Sequence, residues 1–387
     1  MPAMWYLPRR GRPEPFQAHA WHGGIGRSSF GRGEIAVIGI GIVGCNYGRT
    51  VLLPAFRADP RCEVVALAGT DAARTAELAR TAGVGRGLGD WRALVDDRAV
   101  AAVAIAVPPE LQPEVARRAL GLSKPVFVEK PLAADLAGAE AMLAAAREHG
   151  RPTVIDFNFP ELPSWRRAKE ILDGSSLGRL RHVVVTWNVE NAATRLRLAS
   201  WKTRGSGGGG LLGNFVSHCF YYLEWFCGPI VGLGGRVFPL PGGDAESSIT
   251  LALAFASGAG GSLQMSCASF LGSGHRIEFY GEDGTLVLAN PTADYFRGFE
   301  LMHGGRADKS LRKVAIAETG SDQSADSRVA PVARLARRFI DACERGGSPS
   351  PGFAEGYRVQ HLIDAARQTH ASGRWVEIAP PSKEDRP

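Results

Sequence analysis

The 387-residue chain contains no apolar run approaching the roughly 20 residues that a membrane span needs, so an integral membrane helix is excluded. Its six cysteines (Cys45, Cys62, Cys219, Cys227, Cys267 and Cys343) form no CxxC pair and no metal-ligand spacing. That scatter excludes a zinc finger or a dithiol redox centre, leaves no metal site to name, and reads as free thiols in a reducing cytoplasm. No internal repeat is present. Acidic residues are scarce at the start: residues 1–33 hold five arginines against one Glu14, which accounts for four of the six net positive charges. The remainder is close to neutral, so composition gives no footprint for nucleic acid. The N-terminus also lacks a secretory apolar core, and its proline and glycine content is unsuited to a transit helix; residues 1–33 read as a disordered basic extension.

What the chain does have is glycine in the right company. The β-branched run Ile35 to Ile38 leads into G-x-G-x-x-G at Gly39, Gly41 and Gly44, with Val43 inside the turn. On this reading Gly39 makes the turn, Gly41 lets the backbone approach a pyrophosphate, and Gly44 lets helix and strand pack closely. The next helix presents its N-terminal N–H groups to the phosphates. Strands are expected at 62–68, 100–107, 125–129 and 153–157, separated by helices at 49–58, 71–82, 90–96, 113–120 and 135–149. Solid apolar strands alternating with helices predict a doubly wound parallel sheet, an α/β Rossmann domain over residues 34–157.

Beyond residue 157 the pattern becomes period-two. Strands are expected at 181–188, 247–255, 259–266 and 276–280, a polar loop at 303–330, and helices at 332–344 and 353–372. This predicts an α+β domain over residues 158–380 with a large, mostly antiparallel open sheet, then a tail at 381–387. The alternation in 247–255 predicts one broad apolar sheet face.

Two segments carry the chemistry. Glu129-Lys130-Pro131 follows a parallel strand at the edge where open α/β sheets bind ligands. Gly207 to Gly210 precede a helix on which Asn214, His218, Tyr221, Tyr222 and Trp225 share a face at helical spacing. Buried polar groups there require partners, which a ligand cleft supplies.

The order GxGxxG, Pro108-Pro109, Glu129-Lys130-Pro131, a glycine run and a helix bearing His218 resembles the Gfo/Idh/MocA oxidoreductases. These are enzymes of the glucose-fructose oxidoreductase, inositol dehydrogenase and rhizopine-catabolism type. The resemblance spans about residues 34–380 and includes Leu177-Gly178, Trp201-Lys202, Gly352 to Gly356 and Gly373-Arg374-Trp375. It implies a nicotinamide-dependent oxidoreductase acting on a sugar, nucleotide-sugar or cyclitol, with Lys130 polarising the substrate oxygen and His218 as general acid or base. The cofactor residues it implies are Gly39, Gly41, Val43, Gly44, Gly69, Thr70, Arg74, Pro108, Glu129 and Lys130. Asn214 stands where relatives often carry aspartate, and Tyr222 is a second candidate proton donor. Gly69, Thr70 and Arg74 replace the acid that holds the ribose of NAD, which favours NADP over NAD, whereas Asp71 turned back to the ribose would favour NAD. The resemblance also implies that copies of the chain pair through the apolar sheet face as a homodimer or homotetramer. Two alternatives stay open: a binding protein that has lost turnover, and an enzyme whose tightly held cofactor recycles.

Overall fold

The computed structural model describes residues 37–196, 198, 200–205, 207–239, 245–317 and 324–381. The basic extension expected at 1–33 lies outside them, as does the tail beyond Pro381.

The first half folds as six parallel strands in the order β3-β2-β1-β4-β5-β6. The strands are β1 (Ile38–Val43), β2 (Cys62–Ala68), β3 (Arg86–Leu88), β4 (Ala102–Ile105), β5 (Val126–Val128) and β6 (Thr153–Ile155). Between them lie α1 (a π turn over Gly48–Leu52 running into Leu53–Arg57), α2 (Ala72–Thr81), α3 (Trp91–Asp96), α4 (Gln112–Gly121) and α5 (Leu136–His149). Aspartates start three of them: Asp71, Asp90 and Asp135 each accept a backbone N–H from the first turn of α2, α3 and α5. Gly150 ends α5 in the left-handed region.

The expected position of β1 needs correction. Gly39 and Gly41 do not form the turn; they lie within β1, paired to β2 on one side and, at Gly41, to β4 on the other. The alternation explains why. Ile40 and Ile42 fill the core on one face, where Val51 and Phe56 of α1 pack. Gly39 and Gly41 face the other way, where neighbours press close. A Cβ on Gly39 would stand 2.0 Å from the Ala99 carbonyl oxygen, and one on Gly41 would stand 2.5 Å from Leu94 of α3. Their smallness therefore serves packing against the sheet.

The second half builds a nine-stranded sheet, β14-β13-β12-β11-β7-β10-β9-β8-β15. In chain order these are β7 (Leu180–Asn188), β8 (Ile230–Pro239), β9 (Glu246–Phe255), β10 (Gly260–Ser266), β11 (Gly274–Gly281), β12 (Gly284–Asn290), β13 (Glu300–Gly305), β14 (Arg312–Lys313) and β15 (Val376–Glu377). Its helices are α6 (Pro163–Asp173), α7 (Ala192–Arg195), α8 (a π turn over Leu212–Val216 running into Ser217–Cys227), α9 (Val329–Arg345) and α10 (Phe353–Ser372). All neighbours are antiparallel except β7 and β10. The loop expected at 303–330 in fact contains the end of β13, β14 and the first residues of α9; residues 318–323 lie outside the described set.

Register fixes the two faces. Leu251, Leu263, Val185, Ile277 and Leu288 line up on one side and are buried. The opposite row, Thr250, Gln264, Thr186 and Arg276, is polar, and Ala252, Ser262, Val184 and Glu278 beside it are small or mixed. The outer face is thus less apolar than the alternation suggested. The end of the chain returns to the first sheet: Phe339 of α9 meets Phe56 and Phe127 edge-on at 6.2 and 5.9 Å.

Candidate active site

Parallel register aligns the strand ends. Val43 pairs with Ala68 and Ile105, Ile105 with Val128, and Val128 with Ile155. The residues that follow, Gly44, Gly69, Ala106, Glu129 and Asp156, therefore form one row along the carboxyl edge, where ligands bind in open α/β sheets. Gly44 leaves β1 with φ of +114°, and a Cβ there would lie 2.2 Å from the Ala106 carbonyl oxygen. Only glycine fits on both counts. The chain turns through Cys45 and Asn46 into the π turn of α1 at Gly48, so the glycine turn after β1 is Gly44 to Gly48, one strand-length later than the spacing predicted. Open N–H groups at the start of α1 suit a pyrophosphate. Val43 is the last, buried residue of β1, Pro108 is exposed beyond β4, and Thr70 and Arg74 are exposed at the start of α2.

Lys130 follows Glu129 on this edge, and the Lys130–Pro131 bond is cis. Its Nζ donates to the Asn214 carbonyl oxygen at 2.8 Å and approaches Asn214 Oδ1 at 3.4 Å. Segments 84 residues apart are thereby joined at the π turn that opens α8. The glycine run makes this approach possible. Gly208 and Gly210 have φ of +74° and +70°, and a Cβ on Gly208 would stand 2.6 Å from Ala134 Cα. Burial pulls the Lys130 ammonium down to about 8, against the stabilising charge of Glu129 and with the repulsion of Lys202.

One turn past Asn214, His218 is buried between the edges of Phe159 and Phe157, with ring centroids at 5.1 and 6.0 Å. Burial, then the charges of Lys130 and His275, hold its imidazole well below the ordinary value. At neutral pH it is an uncharged base beside an ammonium. The aromatic face expected on this helix is divided. Tyr221 stacks on Phe157 at 4.5 Å. Tyr222 is fully buried and its hydroxyl pairs with His275 Nε2 at 2.9 Å, inside a cluster with Trp165 and Phe226. The structure thus brings Lys130, Asn214 and His218 together and leaves Tyr222 in the core.

Three residues that the sequence reading missed stand beside them. Tyr47, in the turn after β1, donates to Asp156 Oδ2 at 2.8 Å. Arg328, before α9, lies over the Tyr47 ring at 5.2 Å and pairs with Asp326. Asp156 occupies, after β6, the place Glu129 occupies after β5, a correspondence that strand register alone would have revealed. Nothing in the sequence signals Arg328. Among the described residues no cluster of His, Cys, Asp or Glu could hold a metal ion, and no helix is long and apolar enough to cross a membrane.

A glycine turn and a lysine on the carboxyl edge of a Rossmann sheet, with a histidine on the helix that the lysine reaches, fit a dinucleotide-dependent oxidoreductase. Residues 37–157 match the oxidoreductase family with NAD-binding Rossmann fold, and residues 165–287 match the GFO/IDH/MocA C-terminal domain. The chain belongs to the GFO/IDH/MocA oxidoreductase family. It is 29% identical over 356 residues to an uncharacterized oxidoreductase of Synechocystis, covering 88% of this chain and 95% of that protein. It is 26% identical over 320 residues to levoglucosan dehydrogenase of Pseudarthrobacter phenanthrenivorans, covering 73% and 81%. The solved levoglucosan dehydrogenase complex with NADH and levoglucosan shares the fold, with a TM-score of 0.79, 23% identity and coverage of 88% and 99%.

Proposed function

We propose that the protein is an NAD(P)-dependent dehydrogenase that oxidises a secondary alcohol of a sugar, nucleotide-sugar or cyclitol. The observation that carries this is the Lys130–Asn214 contact at 2.8 Å, which sets an ammonium one helical turn from the imidazole of His218. Gly44 to Gly48 would hold the pyrophosphate and Glu129 the nicotinamide ribose. The bound nicotinamide would supply the hydride acceptor. His218, neutral at rest, takes the hydroxyl proton; Lys130 stabilises the negative charge that develops on the oxygen; Asn214 fixes Lys130. A neutral imidazole can accept the hydroxyl proton at the start of oxidation and return it in the reverse step.

Relatives named for levoglucosan, for inositol and for a dTDP-dideoxyglucose reductase support a sugar-like substrate. The lack of a carboxylate at Gly69, with Arg74 one turn into α2, supports NADP over NAD, although solved relatives carry NADH. Six unpaired cysteines support a cytoplasmic protein, and the open nine-stranded sheet supports a homodimer or homotetramer.

The test is nicotinamide reduction at 340 nm with NAD⁺ and NADP⁺ against a panel of anhydrosugars, aldoses, inositols and nucleotide-sugars. His218→Ala lowers turnover about 10²–10⁴-fold with cofactor affinity retained. Full activity in that variant refutes the assignment.

A further inference from the structure

Asp156 has no solvent exposure, yet it carries a carboxyl group at the carboxyl edge of the sheet. Its Oδ2 accepts from Tyr47 at 2.8 Å. Its Oδ1 is sealed from solvent without a partner in full hydrogen-bond geometry, and the Glu129 carboxyl approaches from the adjoining strand. The backbone fixes that approach, because the Asp156 N–H donates to the Val128 carbonyl at 2.9 Å, next to Glu129. A carboxyl group without solvent contact, next to a second carboxyl, is disfavoured as an anion. Burial and the neighbouring Glu129 push the Asp156 carboxyl well above its ordinary range. The buried group therefore keeps its proton, while the half-buried Glu129 lies among the cationic groups of Lys130, Lys202 and Arg328.

We propose that Asp156 is a protonated positioning residue. Its O–H donates to the Glu129 carboxylate and aims it at the ribose of the dinucleotide, while its other oxygen is held by Tyr47. This rests on the reading of Glu129 as a cofactor ligand given above. Tyr47 extends the arrangement into the phosphate-binding turn, so one buried carboxyl couples the grip on the pyrophosphate to the grip on the ribose. The role requires one donor and one acceptor on residue 156 and no negative charge. An amide meets that requirement and a methyl group does not.

The experiment measures NADH and NADPH affinity by nicotinamide fluorescence, with thermal midpoints recorded in parallel. Asp156→Asn keeps affinity within about threefold of the native protein. Asp156→Ala weakens it by about tenfold or more, the scale of a lost hydrogen bond to a charged group. In a Glu129→Gln background the alanine substitution adds less than twofold, because Asp156 acts through Glu129. Tyr47→Phe, which removes only a hydroxyl, weakens affinity by a smaller factor and remains informative if the alanine variant fails to fold. Asparagine as damaging as alanine would mean the site needs a charge at 156, and would overturn the proposal. Full additivity with Glu129→Gln would overturn it too, since Asp156 would then be merely structural. If Glu129→Gln alone leaves affinity unchanged, the reading of Glu129 falls first and takes the inference with it.

Discussion

The proposed preference for NADP rests on three residues between β2 and the first turn of α2, Gly69, Asp71 and Arg74, and removing one side chain gives a quantitative test. NAD-specific Rossmann sites end the second strand with an acid that takes the ribose hydroxyls. Here that position is Gly69, where an added Cβ would stand 2.6 Å from Thr75 Oγ1 and 2.9 Å from Cys45 Sγ. A carboxylate side chain therefore has no room unless both neighbours move. Asp71 is engaged elsewhere, since its Oδ1 accepts the Arg74 N–H at 2.9 Å as the cap of α2. That leaves the exposed guanidinium of Arg74 as the group placed to meet a 2′-phosphate. A hydrogen bond between charged partners contributes about 1.5–3 kcal/mol, and the exposure of Arg74 sets the lower end. Arg74→Ala is thus expected to raise the Kd of NADPH about tenfold and that of NADH less than twofold. Fluorescence titration at low and high salt checks this: salt weakens NADPH binding in the native protein more than in the variant. Equal loss for both cofactors, or none for either, refutes the reasoning and leaves the site indifferent to the phosphate.

Lys130, held near 8, loses its proton as pH rises through that value, so oxidation is expected to decline there. Asn214→Asp places a carboxylate about where Oδ1 now lies, 3.4 Å from Nζ, worth roughly 1–5 kcal/mol between water-like and protein-like screening. It holds the proton on Lys130 and moves the alkaline limb of the kcat/KM profile upward by a unit or more; an unmoved limb contradicts the role of Lys130. Tyr222→Phe strips His275 Nε2 of its buried partner, costing about 1–3 kcal/mol, and lowers the thermal midpoint by a few degrees with turnover unchanged. Loss of turnover at native stability would restore tyrosine as the proton donor. Size-exclusion chromatography is expected to give a dimer or larger, and Val184→Arg, on the outer sheet face, to shift it toward monomer; a native monomer rules out that interface.

Much of the fold was readable because burial leaves a signature. β2, α2, α5 and α10 fall within a residue or so of their predicted bounds, and each is either a solid apolar run or a helix with an aspartate cap or a glycine stop. β8, β12 and β13 were not anticipated. In β8 the glycines Gly232, Gly234 and Gly235 resemble turn residues, whereas a Cβ on Gly232 or Gly234 would meet Trp375, which lies across the strand. Glycine that admits a neighbour and glycine that turns the chain look the same in one dimension.

The same ambiguity displaced the turn after β1. Gly39, Gly41 and Gly44 satisfy the familiar spacing, but the isoleucines between them, Ile40 and Ile42, lie on one buried face of a strand that runs on to Val43. A turn beginning at Gly39 would strip that face from the core, and the burial of two isoleucines at about 1.5–3 kcal/mol each favours the strand. Once β1 ends at Val43, register places Gly44, Gly69, Ala106, Glu129 and Asp156 in one row, and the lysine that follows Glu129 reaches the helix of His218. Lys130 and His218 could be singled out in the sequence because ammonium and imidazole carry their chemistry in their residue type. Asp156 was not, because a carboxylic acid that works by remaining protonated is defined by its surroundings, and those come from Tyr47, more than a hundred positions earlier, and from the strand beside it.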